Sequence, residues 1–167
     1  MAATVSVKQA TGAGPSANTI TNLRFSTDDN YDPGVLNPLV RPASGINRSY
    51  WKTIYLNADT SPSLIINNVK LYTDGAIGWT GVTVYMGTTG TYTEATGTEG
   101  LTGTDSSVAT ADFSTFTSGA PKSVTGEINN PDTGKITDYI ELQADVAVSA
   151  TPGVLSTETA TFQYDEI

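Results

Sequence analysis

Apolar and polar residues alternate along much of this chain, and Gly, Pro, Asn and Asp interrupt the alternation. A period of two residues places successive side chains on opposite faces of an extended backbone, which is typical of strands with one buried face. The clearest case is residues 139–149, where Ile140, Leu142 and Ala144 alternate with Glu141 and Gln143. We expect the apolar side of this strand to face the core and its polar side to face water.

The same pattern predicts an all-β fold, because no segment has a helical period and turn residues separate short extended runs. We expect a single antiparallel β-sandwich of about nine strands, with jelly-roll or immunoglobulin-like topology. The chain should end in a hairpin, since Pro152 and Gly153 supply a turn between the last two strands. The predicted strands are residues 4–9, 19–26, 50–57, 63–72, 82–86, 108–113, 123–128, 139–149 and 156–164.

The chain has the length of one domain, so residues 1–167 are predicted to form one sandwich. Residues 1–16 are set apart by Gly12 and Gly14 and form a possible N-terminal arm. An arm of this kind can add a strand to the sheet of a neighbouring subunit, which predicts a homo-oligomer.

Two long irregular segments, residues 27–49 and 87–107, separate the predicted strands. Loops of that length are uncommon unless they are functional, interfacial or mobile, so we expect function to lie there. The first is rich in Pro and carries apolar side chains that need a cover. The interface candidates come from this loop and from the arm: Val5, Val7, Tyr31, Val35, Leu36, Leu39, Val40 and Arg41.

The composition argues against catalysis. The chain has no Cys and no His, so it lacks disulfides, thiolate ligands and the side chain most often used for proton transfer near neutral pH. Ser49 and Lys52 match the bare Ser-x-x-Lys pattern of acyl-transfer enzymes. On a strand, however, residues three apart point to opposite faces. We therefore predict no enzyme and no catalytic residues.

Charge is distributed unevenly. Residues 1–70 carry six basic and four acidic side chains, net +2, whereas residues 71–167 carry two basic and thirteen acidic ones, net −11. Such a surface is unsuited to nucleic acid. No apolar run approaches the roughly 20 residues that span a bilayer, and the first residues do not resemble a signal peptide. We expect neither a nucleic-acid partner nor a membrane segment.

One acidic segment is a candidate metal site. Asp28, Asp29 and Asp32, together with Asn30, place four oxygen-bearing side chains within five positions, which suits Ca²⁺. The spacing differs from that of an EF-hand, and Asp and Asn are also common turn residues. The prediction is therefore no cofactor, with Ca²⁺ as the alternative.

Aromatic residues permit a different function. Trp and Tyr can form a sugar-stacking surface on a β-sandwich, although buried aromatic anchors are the commoner arrangement. The residues concerned are Tyr31, Tyr50, Trp51, Trp79, Tyr85 and Tyr92.

Three features together resemble the head decoration or cement proteins of tailed phages and related viruses. These are the Met1-Ala-Ala-Thr start, the Thr-, Gly- and Ser-rich body without Cys or His, and the segment from Ala144 to Gly153. The resemblance implies a structural protein of the virion surface that binds the outer face of a capsid lattice, with the major capsid protein as partner, often as a trimer. The alternatives are a carbohydrate-binding or adhesin-type module at a cell surface, or a filament, tail or surface-layer subunit.

Overall fold

The structure, a computed structural model, describes residues 2–167 and is all-β, as the sequence predicts. The described chain has one short helical segment, a single 3₁₀ turn at Phe113–Thr115. Its strands are β1 Val5–Thr11, β2 Ser16–Ile20, β3 Ile46–Arg48, β4 Lys52–Ala58, β5 Ile65–Thr73, β6 Val82–Thr89, β7 Gly97–Thr98, β8 Thr102–Gly103, β9 Ala111–Asp112, β10 Lys122–Ser123, β11 Ile128–Asn129, β12 Gly134–Lys135, β13 Tyr139–Ala147 and β14 Ala160–Glu166.

The strands form three antiparallel sheets. The largest has the order β2-β1-β4-β13-β6-β9, with β12 also pairing with β4 and β3 with β13. In the second sheet β10, β11 and β14 all pair with β5, and β7 and β8 form a separate two-stranded sheet. The predicted sandwich of about nine strands is therefore wrong in number. Six of the strands, β7 to β12, are two residues long, too short to show a period in sequence.

The two larger sheets pack face to face around a shared core. Leu71 of the second sheet lies with Met86, Ile140 and Leu142 of the large sheet, and all four are 3% exposed or less. A second cluster combines side chains of both sheets in the same way. Burial of these alternating apolar positions supplies the driving force for the arrangement.

The predicted C-terminal hairpin is wrong. β13 pairs with β3, β4 and β6 in the large sheet, whereas β14 pairs with β5 in the second sheet. The turn at Pro152 and Gly153 lies in a segment that crosses from one sheet to the other. The turn residues do end the preceding strand, but local turn chemistry does not specify which strand the next segment will join.

The polar face of β13 is not wet, in contrast to the expectation. Glu141 is 2% exposed and Gln143 is 1% exposed. Residues 104–109 lie over this face of the large sheet and hydrogen bond to both side chains. A charged residue of an alternating strand is normally solvated, so the sequence alone did not indicate this cover.

The first strand is an integral part of the large sheet. β1 lies between β2 and β4 and pairs with both, and residues 12–15 make the turn between β1 and β2. Met1 lies outside the described residues. The segment predicted as an arm is thus a hairpin of its own domain, and its exchange with a neighbour remains a prediction.

Candidate functional site: the loop platform

The two long segments singled out in the sequence contact each other in the structure. We call residues 27–45 and 90–107 together the loop platform. The Gly100 amide donates to the Thr27 carbonyl at 3.1 Å, and Asn37 Nδ2 donates to Glu99 Oε1 at 3.1 Å. These bonds join segments more than 60 residues apart in sequence. The platform therefore behaves as one surface built from two loops.

A buried lysine holds the first loop. Lys52, in β4, is completely buried, and its Nζ donates to Ser26 Oγ at 2.8 Å, to the Asp28 carbonyl at 2.7 Å and to the Asn30 carbonyl at 3.2 Å. Its Nζ is also 3.9 Å from Asp28 Oδ1. Burial lowers the pKa of Lys52 to about 8, against the attraction of Asp28 and Asp29. The ammonium group thus fixes the start of the loop by satisfying two of its carbonyl groups.

A left-handed residue closes the same loop. Asn37 has φ of 46°, a conformation that Asn tolerates better than most residues. Its carbonyl accepts from the Thr27 amide at 2.8 Å, and its Nδ2 donates to Asp28 Oδ2 at 2.9 Å. Hydrogen bonds from Ser26 and Asn37 and the charge of Lys52 outweigh burial and lower the pKa of Asp28 below its ordinary value.

The second loop is held by the buried polar face of β13. Gln143 accepts from the Ser106 amide at 2.9 Å and donates to the carbonyls of Ser49 at 2.8 Å and Thr104 at 2.7 Å. Ser106 Oγ donates to Glu141 Oε2 at 2.6 Å. Burial raises the pKa of Glu141, and the hydrogen bond from Ser106 partly offsets this. The amide of Gln143 is fully satisfied as a bridge between sheet and loop.

Close backbone approach explains part of the Gly content here. A Cβ at Gly87 would meet the Val108 carbonyl, and a Cβ at Gly103 would meet the Ser49 carbonyl. Both glycines let the loop lie directly on the strands. The Gly- and Thr-rich segment therefore packs closely against the strands of the large sheet.

The platform leaves large apolar side chains exposed. Val35 is 84% exposed, Leu36 68%, Leu101 48% and Tyr31 42%. Among the interface candidates, Tyr31, Val35, Leu36 and Arg41 are exposed, and Arg41 donates to the Val148 carbonyl at 2.7 Å. The other four candidates, Val5, Val7, Leu39 and Val40, are half-buried. Val5, Val7 and Leu39 pack against the core.

Acidic residues from both loops of the platform line a depression of about 370 Å³. Its walls include Asp28, Asp29, Glu94 and Glu99. Asp29 accepts from the Gly12 amide at 2.7 Å, and burial raises the pKa of its carboxyl. The loop platform therefore carries both acidic side chains and exposed apolar ones.

The candidate calcium ligands do not converge. Residues 2–167 contain no group of three or more side chains placed to hold a metal ion. The carboxylate of Asp28 is occupied by Ser26 and Asn37, and the Asp32 amide donates to Asn30 Oδ1 at 3.1 Å in a local turn. Asp28 and Asp29 instead accept hydrogen bonds from Asn37 and Gly12, and Asp32 belongs to a local turn.

The six aromatic candidates do not share one exposed surface. Tyr50 and Trp51 are buried with Ala95 in a small cluster, and Trp79 packs edge-on against Phe25 with ring centroids 6.1 Å apart. Ser49 Oγ accepts from the Ala144 amide, and Lys52 binds the loop as described above. Ser49 and Lys52 are thus both engaged in holding backbone.

The sequence did not indicate the side chains that hold the two loops in place, which are Asn37, Lys52, Ser106 and Gln143. One signal was available for Lys52, because it stands in the run Trp51 to Leu56, which has bulk on both faces. No such signal marks Ser106 or Gln143, whose partners lie 35 or more residues away.

No protein-family model, curated protein or solved structure matches this chain. Within residues 2–167 no helix is both long enough and apolar enough to cross a membrane.

Proposed function

We propose that the protein is a structural subunit of a virion surface, a decoration or cement protein that docks on the outer face of a capsid lattice through the loop platform. One observation carries this proposal. Buried hydrogen bonds from Lys52 and Gln143 fix the backbone of the platform. The platform nevertheless exposes four large apolar side chains, those of Tyr31, Val35, Leu36 and Leu101. Exposed apolar residues grouped on an ordered surface are characteristic of contact sites.

The internal anchors make this surface suited to binding. A flexible loop loses conformational entropy when a partner orders it, whereas a loop already fixed by buried hydrogen bonds loses little. Any loop conformation that breaks the hydrogen bonds from Lys52 or Gln143 leaves a buried carbonyl without a donor and is therefore disfavoured. The fold therefore presents Val35 and Leu36 in a defined position before any partner arrives.

The charge of the platform indicates the chemistry of the partner surface. Asp28, Asp29, Glu94 and Glu99 favour a capsid face that offers Lys or Arg around an apolar area. Association through such a surface should weaken as salt concentration rises. The composition that resembles phage decoration proteins supports the same function, and the major capsid protein is the partner that it implies.

The test begins with the source genome, where we expect a gene for a major capsid protein near the gene for this chain, and capsids are assembled from that protein. The wild-type protein is mixed with the particles and co-sedimented, and the bound fraction is measured against protein concentration. We expect saturable binding that Val35→Asp with Leu36→Asp reduces at least tenfold. Val154→Asp is the matched control, because Val154 is fully exposed outside the platform.

Two results would reject the proposal. If the wild type fails to bind the capsids at any concentration, the decoration function is wrong. If the double variant binds as tightly as the control, the platform is not the docking surface.

One observation favours the second candidate, a carbohydrate-binding module. Trp79 borders a depression of about 220 Å³ together with Thr151 and Val154, and its Nε1 donates to the Ser156 carbonyl at 2.8 Å. A glycan array distinguishes the two functions. Specific sugar binding that Trp79→Ala abolishes would favour the module, and the absence of binding would favour the structural subunit.

A further inference from the structure

One outer edge of the large sheet, β2, is a regular and uncharged strand of five residues. β2 pairs with β1 over five consecutive residues without a register shift. Within the described chain no strand pairs with its other side, and no backbone group of residues 16–20 hydrogen bonds outside the ladder with β1. Half of its backbone donors and acceptors thus face outward, because successive groups of a strand point to alternate sides.

The other edges carry the features with which β-proteins block pairing. At the opposite end of the large sheet, β9 is only two residues long. β14, on the edge of the second sheet, has a register shift between Gln163 and Asp165 and ends in Asp165 and Glu166. Short strands, bulges and charges are the usual protection of an edge against association. β2, with the sequence Ser-Ala-Asn-Thr-Ile, has none of the three.

Charge also favours contact at this edge. The chain has a net charge of −9, but residues 2–27 contain no acidic side chain and only two basic ones, Lys8 and Arg24. Lys8 Nζ donates to Thr19 Oγ1 at 2.6 Å and lies 3.6 Å from Asp59 Oδ1, so its charge is partly compensated. The hairpin of β1 and β2 therefore brings no acidic side chain of its own to a contact at this edge.

We propose that β2 pairs with β2 of a second copy of this chain, which joins the two large sheets into one continuous sheet across a two-fold axis. Antiparallel pairing centred on Asn18 places Ser16 opposite Ile20 and Ala17 opposite Thr19. No like charges face each other in this register. A five-residue ladder is a small interface, so the dimer is weak and depends on protein concentration.

The test is the mass of the purified full chain, measured by sedimentation equilibrium over about 10 µM to 1 mM, the range of weak association. We expect the mass to rise from 17.4 kDa toward twice that value. Asn18→Lys, which places two positive charges at the axis, should raise the dissociation constant at least tenfold. Ala160→Lys is the matched control, because residue 160 is exposed on the β14 edge, and it should leave the constant unchanged.

Hydrogen exchange of the backbone amides in the wild-type chain gives a second measurement, which needs no variant. Alternate amides within residues 16–20 should exchange quickly at 10 µM and at least about tenfold more slowly at 1 mM. A mass that stays at 17.4 kDa, a trimer, or outward amides that exchange equally fast at both concentrations would each overturn the proposal.

Discussion

The buried Lys52 gives the sharpest test of how the loop platform is held. Substitution Lys52→Met keeps most of the volume of the side chain and removes the ammonium group. The carbonyls of Asp28 and Asn30 then lose their donor, and Ser26 Oγ loses the contact at 2.8 Å. Because these groups lie at the base of the first loop, the variant should weaken both stability and the fixed position of Val35 and Leu36.

The loss of stability in Lys52→Met can be estimated from the groups that lose their partner and those that keep one. Removing one partner of a buried charged contact costs about 3–5 kcal/mol, since the other groups stay buried without a partner. Asp28 keeps its hydrogen bonds to Ser26 and Asn37 and is partly exposed, which places the cost at the lower end, about 3 kcal/mol. For a chain of this length that loss corresponds to a fall in Tm of roughly 6–12 °C.

The pH dependence of this difference is diagnostic. Because the pKa of Lys52 is lowered from 10.5 to about 8 in the folded state, the unfolded chain binds more protons between these values. Stability contributed by Lys52 must then rise with pH through that window. At about 1.36 kcal/mol for each pH unit, the wild type should gain roughly 2 kcal/mol over Lys52→Met between pH 7 and pH 9.5.

Urea denaturation followed by Trp fluorescence measures both the loss of stability and its change with pH, and Trp51 is the probe adjacent to the site. Lys70→Met is the control for the loss of one positive charge. The free energy of unfolding of each protein is determined at pH 7 and at pH 9.5. If the advantage of the wild type is already absent at pH 7, the hydrogen bonds of Lys52 do not hold the loop. If the advantage stays constant or shrinks between pH 7 and pH 9.5, the pKa of Lys52 is not lowered by burial and the reasoning fails.

Three further predictions concern the second loop. Gln143→Leu should destabilise the fold by about 2–4 kcal/mol and speed proteolysis within residues 90–107, because the variant leaves the Ser49 and Thr104 carbonyls without a donor; unchanged cleavage would contradict the anchoring role. Glu141→Gln should raise Tm at pH 7 and less so at pH 4, since burial raises the pKa of Glu141 and the folded state loses stability as pH rises above the ordinary value of 4.5; a lower Tm at pH 7 would refute this. Gly87→Ala should lower the free energy of unfolding by at least about 2 kcal/mol, because the new Cβ meets the Val108 carbonyl, whereas Gly14→Ala has open space and should change it little.

The sequence specified the strands that have long alternating patterns, and for a physical reason. β1, β4, β5, β6 and β13 each carry apolar side chains at alternate positions, so their sequences show the period of two whether or not the other face is also buried. The two-residue strands have no period to detect. Strand partnership was the weaker part, because the choice of β14 to join β5 and not β13 depends on the packing of whole sheets.

The same distinction holds for the loop platform. Length and composition identified both loops, since long irregular segments are rare in compact domains. The anchors escaped because each is a polar residue whose role depends on partners distant in sequence, as for Gln143 and Ser49, 94 residues apart. Period-two reasoning assigned Glu141 and Gln143 to water, and the loop that covers them reversed that assignment.

The β1–β2 hairpin connects the two proposed surfaces. Its turn contacts both loops, because the Gly12 amide donates to Asp29 Oδ2 at 2.7 Å and the Gly12 carbonyl accepts from Tyr92 Oη at 2.9 Å. Pairing of β2 with a second copy would therefore hold two loop platforms in a fixed mutual orientation. Two linked platforms bind a repeating lattice with far higher avidity than one, so even a weak dimer would strengthen attachment. On this reasoning Asn18→Lys should weaken binding to capsids without altering the platform itself, and a variant that blocks pairing yet binds as tightly as the wild type would separate the two surfaces.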